Sequence, residues 1–301
     1  MAGAQPLFLL SLPRSGSTLL QRMLGSHTKI ATAPEPWLLL PYLFALRPDG
    51  VYADYGHRTS VKALEGLCEG LEGGREAYRA AVRGMAEGLY DQLAGPECRY
   101  FLDKTPRYNL AVDELLATFP QAPMIILWRN PLAVIASIID SWLYGRWHPY
   151  HHKVDLFDGL ERLCAAYDRD PSRFLTLRYE DLVADPARVA GSLCAGLNLE
   201  WEQAVVTGFD RVRLGANIGD QRGVAQYQQV SEASLDRWRG SLSSPVRKAW
   251  CARYLDWLGE RRLAAMGYRL DELQAQLSSL ESDWRRAPAD AAATVKGVAW
   301  S

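Results

Sequence analysis

The sequence predicts an α/β fold, a central parallel β-sheet with helices on both faces and a helical C-terminal part. Three observations predict it. Short apolar runs without helical spacing recur at 7–12, 100–103, 124–128 and 174–179, and such runs read as strands buried on both faces. Amphipathic stretches separate them, so strand and helix alternate over 7–197, the pattern that right-handed crossovers turn into a parallel sheet. The runs end in polar or charged residues, and ligands of such sheets lie outside the carboxyl ends of the strands.

The first strand, Leu7 to Leu12, runs into Pro13, Arg14, Ser15, Gly16, Ser17 and Thr18. From Thr18 on, Leu19, Leu20, Met23 and Leu24 follow helical spacing, and Gly25 stops the helix. A strand, a tight polar loop and a helix aim backbone N–H groups and a positive dipole end at one point, which suits a phosphate. Arg14 adds a fixed charge on a planar fork. A nucleoside-triphosphatase loop needs a second Gly and a Lys before the hydroxyl, and neither is present. Taken alone, the loop also fits a plain β-turn-α connection whose Gly only makes a turn.

Ile30 to Ala33 forms a second strand candidate, followed by Glu35 between Pro34 and Pro36. The following proline biases Glu35 to extended geometry, and neither proline donates a hydrogen bond. Two readings stay open, a stiffly held carboxylate at a strand end and a loop carboxylate in water. Residues 41–59 read as an aromatic loop or lid, and 60–95 as helical with a break at Gly70, Gly73 and Gly74. Tyr100 to Asp103 is a strand ending in Lys104-Thr105-Pro106, and 108–118 is an amphipathic helix.

Met124 to Trp128 is a strong buried strand ending in Arg129-Asn130-Pro131. Pro131 suits a first helical position, which places Ser137 in the second turn. Residues 143–153 are rich in Trp, Tyr and His, but adjacent histidines on a loop make a poor metal site. Residues 155–170 are helical, Phe174 to Tyr179 is a strand, and a helix starts near Pro186. Residues 200–283 are mostly helical, broken near 214–224 by Gly215, Gly219 and Gly223. The stretch 285–300 has few large apolar residues and reads as a frayed tail. No repeat or linker divides the chain, so 1–284 is expected as a single domain and 285–301 as a flexible tail.

Composition sets outer bounds. The chain has 301 residues, 48% hydrophobic and 23% charged, with a net charge of −1. Such a balance gives no global attraction to nucleic acid or anionic membrane, so an anion site must be local. The five cysteines are widely spaced with no C-x-x-C pair, which indicates free thiols in a reducing compartment rather than zinc or disulfides. The N-terminus lacks a basic segment, and no apolar stretch reaches the ~20 residues of a membrane span. A cytoplasmic protein without stable membrane insertion is expected.

The strand-end residues carry a specific resemblance. Pro13-Arg14-Ser15-Gly16-Ser17-Thr18-Leu19-Leu20 resembles the 5′-phosphosulfate loop of sulfotransferases that use 3′-phosphoadenosine 5′-phosphosulfate (PAPS). Arg129-Asn130-Pro131 with Ser137 resembles the family's 3′-phosphate site, and Arg178-Tyr179-Glu180-Asp181-Leu182 the segment whose Tyr meets the adenine. The three motifs span 7–185. Further on, Ser234-Leu235-Asp236-Arg237-Trp238-Arg239 resembles a late Arg-Trp segment near the cofactor. The resemblance implies the P-loop-like sulfotransferase fold and PAPS as co-substrate. It implies cofactor contacts from Arg14, Ser15, Gly16, Ser17, Thr18, Leu19, Arg129, Ser137 and Tyr179, with no metal.

Phenol-type members carry Lys-Thr-His, whereas this chain reads Lys104-Thr105-Pro106, and proline cannot act as a base. The tyrosylprotein branch is similar to this chain in its Lys-x-Pro and in a Glu spaced from the loop Arg as Glu35 is from Arg14. Glu35 is therefore expected as the base, Lys104 as the cation at the bridging oxygen, and Arg14 on the sulfuryl oxygens. His57, His148, His151 and His152 are reserve bases. Trp37, Leu38, Tyr42, Tyr52, Tyr55, Trp142, Tyr144 and Trp147 are expected near the mouth, with a small apolar or phenolic alcohol as the first choice of acceptor, a glycan or glycolipid left open and a protein tyrosine less favoured. The rivals are a P-loop kinase and an inactive nucleotide-binding scaffold.

Overall fold

The computed structural model describes residues 3–212, 214 and 235–299, with side chains up to residue 295. Gly215, Gly219 and Gly223 of the stretch near 214–224, and Ser234, lie outside the described residues. Five strands form one sheet: β1 (Gln5–Ser11), β2 (Ile30–Thr32), β3 (Tyr100–Asp103), β4 (Met124–Trp128) and β5 (Phe174–Arg178). Their order is β2-β3-β1-β4-β5 and every pairing is parallel. The register sets Phe8 beside both Asp103 and Met124, and Trp128 beside Arg178.

The continuous apolar run of β1 follows from burial on both sides. Leu7 and Leu9 pack with Leu19, Leu20 and Met23 of the first helix, Ser17–Gly25. Phe8 and Leu10 face the other way, among Tyr90, Phe101, Tyr108 and Trp128. All four β1 side chains are essentially inaccessible, each worth roughly 1.5–3 kcal/mol by area burial. The chain leaves β1 toward β2 and β3 on one side and reaches β4 on the other, so the strand order reverses around β1. That switch point opens a crevice at the carboxyl ends of β3, β1 and β4.

The long helical stretch divides at its glycines into His57–Glu69 and Arg75–Leu93. Two segments expected as uniform helices change pitch. Pro106–Leu110 is a 3-10 turn before the α-helix Val112–Thr118, and Val154–Gly159 is a π-helical turn before Leu160–Arg169. Tyr179 opens the helix Tyr179–Ala184 rather than ending β5.

The expected frayed end is corrected. A helix covers Ala287–Ala299. Its Asp290 forms a buried two-pronged ion pair with Arg247 at 2.9 and 3.0 Å, and Thr294 accepts from the Trp147 indole. Polar anchoring, not the apolar residues this stretch lacks, holds it to the helix Pro245–Ala265. Among the described residues, no helix is long and apolar enough to cross a membrane.

Candidate active site

The loop after β1 is shaped by two residues with left-handed backbone, Arg14 at φ 67° and Gly16 at φ 91°. Glycine is required at 16 for a second reason. A Cβ there would lie 2.4 Å from the Tyr179 ring. The first helix begins at Ser17 without a side-chain cap, so its leading N–H groups are available to an anion. Beneath the loop, Arg129 donates from Nη1 to the Arg14 carbonyl at 2.7 Å and lies over the Tyr179 ring at 4.4 Å. Its Nε is buried with no hydrogen-bond partner among the described residues.

One cavity of about 350 Å³ gathers most of the expected residues. Arg14, Gly16, Ser17, Thr18, Glu35, Lys104, Arg129 and Ser137 line it, with Pro13, Trp37, Pro106, Arg107 and Trp142. Its lining carries four cations, Arg14, Lys104, Arg107 and Arg129, against the carboxylate of Glu35. A chain of net charge −1 thus concentrates positive charge in one crevice, which suits a polyanionic ligand. A larger surface hollow of about 1000 Å³ lies near the amino ends of β1 and β3, among Gln5, Lys29, Glu97 and Arg99. It sits at the wrong end of a parallel sheet for a ligand site.

Glu35 and Lys104 meet inside the cavity, Nζ to Oε1 at 2.5 Å, with both side chains nearly buried. Lys104 also reaches the Thr18 hydroxyl at 3.5 Å, and Glu35 Oε2 accepts from the Trp37 indole at 3.3 Å. The Glu35 strap is fixed on its entry side. Gln21 of the first helix donates to the Thr32 hydroxyl and the Ala33 carbonyl at 2.9 and 2.8 Å. The reading of a stiffly held carboxylate is the one these contacts favour.

Arg14 reaches across the crevice. Its Nε donates to Ser137 Oγ at 3.3 Å, its Nη2 to Ser141 Oγ at 3.0 Å, and its guanidinium stands 5.8 Å from the Trp142 ring. Ser141 is one helical turn beyond Ser137 on Pro131–Ser141, a signal readable from i, i+4 spacing. Asn130 caps that helix by accepting from Leu132 N–H at 2.9 Å. The 178–182 segment ties in through Glu180, which accepts from Asn130 N–H at 3.0 Å and from the Tyr268 hydroxyl at 2.5 Å.

Three expected cofactor contacts lie outside the cavity. Tyr179 is buried under the loop, between Gly16 and Arg129, so its ring supports the loop rather than lining the cavity. Ser15 is buried, and Leu19 packs in the core with its N–H bonded to the Gly16 carbonyl at 3.0 Å. The aromatic list also divides. Trp37 and Trp142 line the cavity, but Trp147 is core, edge-on to Trp250 and under Arg247. Tyr52 is exposed in a separate hollow with His57, Leu38 packs against the core, and Tyr144 is exposed. The spacing missed Arg107, whose partner is the buried Asp155 at 3.2 Å. The histidine stretch places His152 against the Trp142 ring and 3.9 Å from Asp155.

Residues 6–203 match a model described as the sulfotransferase family. The chain belongs to the sulfotransferase family. It is 32% identical over 288 residues to nodulation protein NoeE of Sinorhizobium fredii, covering 87% of this chain and 65% of NoeE. This sulfotransferase-family chain thus spans just under two thirds of that relative. Protein-tyrosine sulfotransferase 1 of Danio rerio is 20% identical, over 80% of this chain and 68% of its own length. Among solved structures, the sulfotransferase domain of the Synechococcus PCC 7002 olefin synthase matches at TM-score 0.55 and 27% identity. That match covers 79% of this chain and 89% of the domain.

Proposed function

We propose that this chain transfers a sulfuryl group from PAPS to the hydroxyl of a small apolar or phenolic molecule, with Glu35 as the base. The observation that carries the reading is the Glu35–Lys104 pair, held in a cavity that also collects Arg14, Arg129 and the N-terminus of the first helix. The residues fit a nucleotide with several anionic groups. Arg129 has a buried N–H without a partner among the described residues, the loop offers helix N–H groups, and Ser137 and Ser141 add hydroxyls.

PAPS supplies an activated sulfuryl group on a good phosphate leaving group. The protein's tasks are then orientation and charge stabilisation, as in phosphoryl transfer. Glu35 takes the acceptor hydroxyl proton while the acceptor oxygen bonds to sulfur and the bond to the phosphate oxygen breaks. Lys104 stands beside that exchange as the cation at the departing oxygen. Arg14 and Arg129 hold the anionic groups. The indoles of Trp37 and Trp142, each partly exposed, supply apolar faces for the acceptor, as ligand sites commonly do. A neighbour that is a domain of an olefin synthase supports a small-molecule acceptor.

The test is transfer of radiolabelled sulfate from PAPS to a panel of phenols, aliphatic alcohols, a sugar and a tyrosine peptide. Labelled product from a phenol or aliphatic alcohol, formed about 10²-fold or more slowly by Glu35→Gln, is expected. Transfer only to the peptide, or unchanged turnover in the variant, overturns the reading.

A further inference from the structure

The Glu35 strap is fixed on its exit side by a group with no assigned part in the reaction. Trp37 has left-handed backbone at φ 53°, a strained state for a residue with a side chain that needs outside support. Its N–H donates to Thr105 Oγ1 at 3.2 Å. The Thr105 hydroxyl has a single proton, which goes to Asp103 Oδ1 at 2.9 Å. A hydroxyl that donates once keeps lone pairs to accept, so the donation to Asp103 orients Thr105 to receive Trp37.

Asp103 is itself immobilised. It ends β3, is fully buried, and its Oδ2 accepts from the hydroxyls of Tyr90 and Tyr108 at 2.6 and 2.7 Å. Those donors come from Arg75–Leu93 and Pro106–Leu110, two different elements. Burial raises the Asp103 carboxyl above the usual carboxylate range, and the three hydroxyl donors and Lys104 oppose that rise. A buried polar network satisfied on every side is rigid and holds one geometry.

We propose that Thr105, oriented by Asp103, is a positioning residue for the proton-transfer step. Its hydroxyl fixes Trp37, the Trp37 indole bonds Glu35 Oε2, and Glu35 Oε1 meets Lys104. The path closes on itself, because Lys104 lies between Asp103 and Thr105 in sequence. Gln21 holds the strap before Glu35 and Thr105 holds it after. Neither Thr105 nor Asp103 lines the cavity. The proposal rests on the reading of Glu35 as the base.

The experiment is a double-mutant cycle. Thr105→Val and Thr105→Ser are each made alone and with Glu35→Gln. Turnover is read with the best acceptor of the panel, or as labelled sulfate released to water where no acceptor turns over. Displacing a reacting group by an ångström can cost on the order of 10² in rate, so Thr105→Val is expected to lower kcat about 10- to 50-fold. KM for PAPS should stay within about twofold, as for an interaction used only in the transition state. Thr105→Ser retains the hydroxyl and should stay within about threefold of wild type. In the Glu35→Gln background, Thr105→Val should cost less than about twofold, because coupled residues are non-additive.

A merely structural threonine would cost the same factor in both backgrounds, and that result overturns the proposal. So does near-normal kcat in Thr105→Val while Glu35→Gln is strongly slowed, which leaves the base reading intact. Near-normal turnover in Glu35→Gln is the separate failure of the base reading, and the positioning role falls with it. If Thr105→Val does not fold, Thr105→Cys serves in its place with the same expected directions.

Discussion

Two buried ion pairs in this molecule look alike and are built for different ends. Arg247–Asp290 and Lys104–Glu35 both pair side chains that are nearly inaccessible. Arg247 is nearly saturated, with protein partners for four of its five N–H donors. Its fork takes both Asp290 oxygens and the carbonyls of Ser241 and Gly145, and its flat face covers Trp147. Those four donors point at fixed protein, and the pair ties Asp290 of Ala287–Ala299 to the helix Pro245–Ala265. Lys104 has three donors, and its partners among the described residues are Glu35 and, at 3.5 Å, the Thr18 hydroxyl. Both members line a cavity, so a ligand can exchange partners with them. The first pair reads as scaffold, and the second, under-used and facing a cavity, is the one proposed to take part in the reaction.

The largest expected effect that would break this contrast is at Glu35. Glu35→Gln should lower turnover roughly 10²- to 10⁴-fold, the usual share of a general base, while thermal unfolding shows a Tm close to wild type. A large loss of stability with retained turnover would reverse the roles assigned to the two pairs. Asp290→Ala gives the opposite signature. It strands a buried guanidinium, at a cost of about 3–5 kcal/mol in denaturant unfolding. The fraction that remains folded should bind 3′,5′-diphosphoadenosine with unchanged affinity in calorimetry.

Gly16→Ala sharpens the comparison on the cofactor side. The added methyl would stand 2.4 Å from the Tyr179 ring at a φ of 91°. Strain of that kind costs on the order of 1–3 kcal/mol. Titration should show weaker diphosphoadenosine binding, by about tenfold or more, with Arg247–Asp290 untouched.

The smallest effect belongs to a third pair, Arg178–Asp181, which is more than a third exposed at 2.7 Å. Hydrogen bonding from Arg178 holds the Asp181 carboxyl below the usual range. A depressed folded pKa contributes stability above the unfolded value near ~4 and loses it as pH falls through the folded one. Asp181→Asn should therefore flatten the acid limb of a stability–pH curve by less than about 1 kcal/mol, as exposed pairs do.

What could be read from the sequence was local. The strands were legible because burial on both faces leaves an unbroken apolar run, as in Leu7 to Leu10. Glu35 was legible because two prolines bracket it, and Lys104 and Arg129 because they end strands. Trp147 was misread as pocket because its neighbours Arg247, Trp250 and Thr294 lie about 100 residues or more away. The final helix was misread for the same reason. Its anchor is an arginine 43 positions earlier, which no hydropathy window contains. Tyr179 carries an aromatic ring at a strand end, but only the structure shows Gly16 and Arg129 closing over it.

The central claim is that this crevice binds a bisphosphate nucleotide to deliver a sulfuryl group. Calorimetric titration of 3′,5′-diphosphoadenosine, 5′-AMP and ATP, without metal, into wild type and Arg129→Ala tests it most directly. The account predicts tight metal-free binding of the bisphosphate over the other two, lost in Arg129→Ala. A preference for ATP that needs magnesium, or no binding of the bisphosphate, would contradict it.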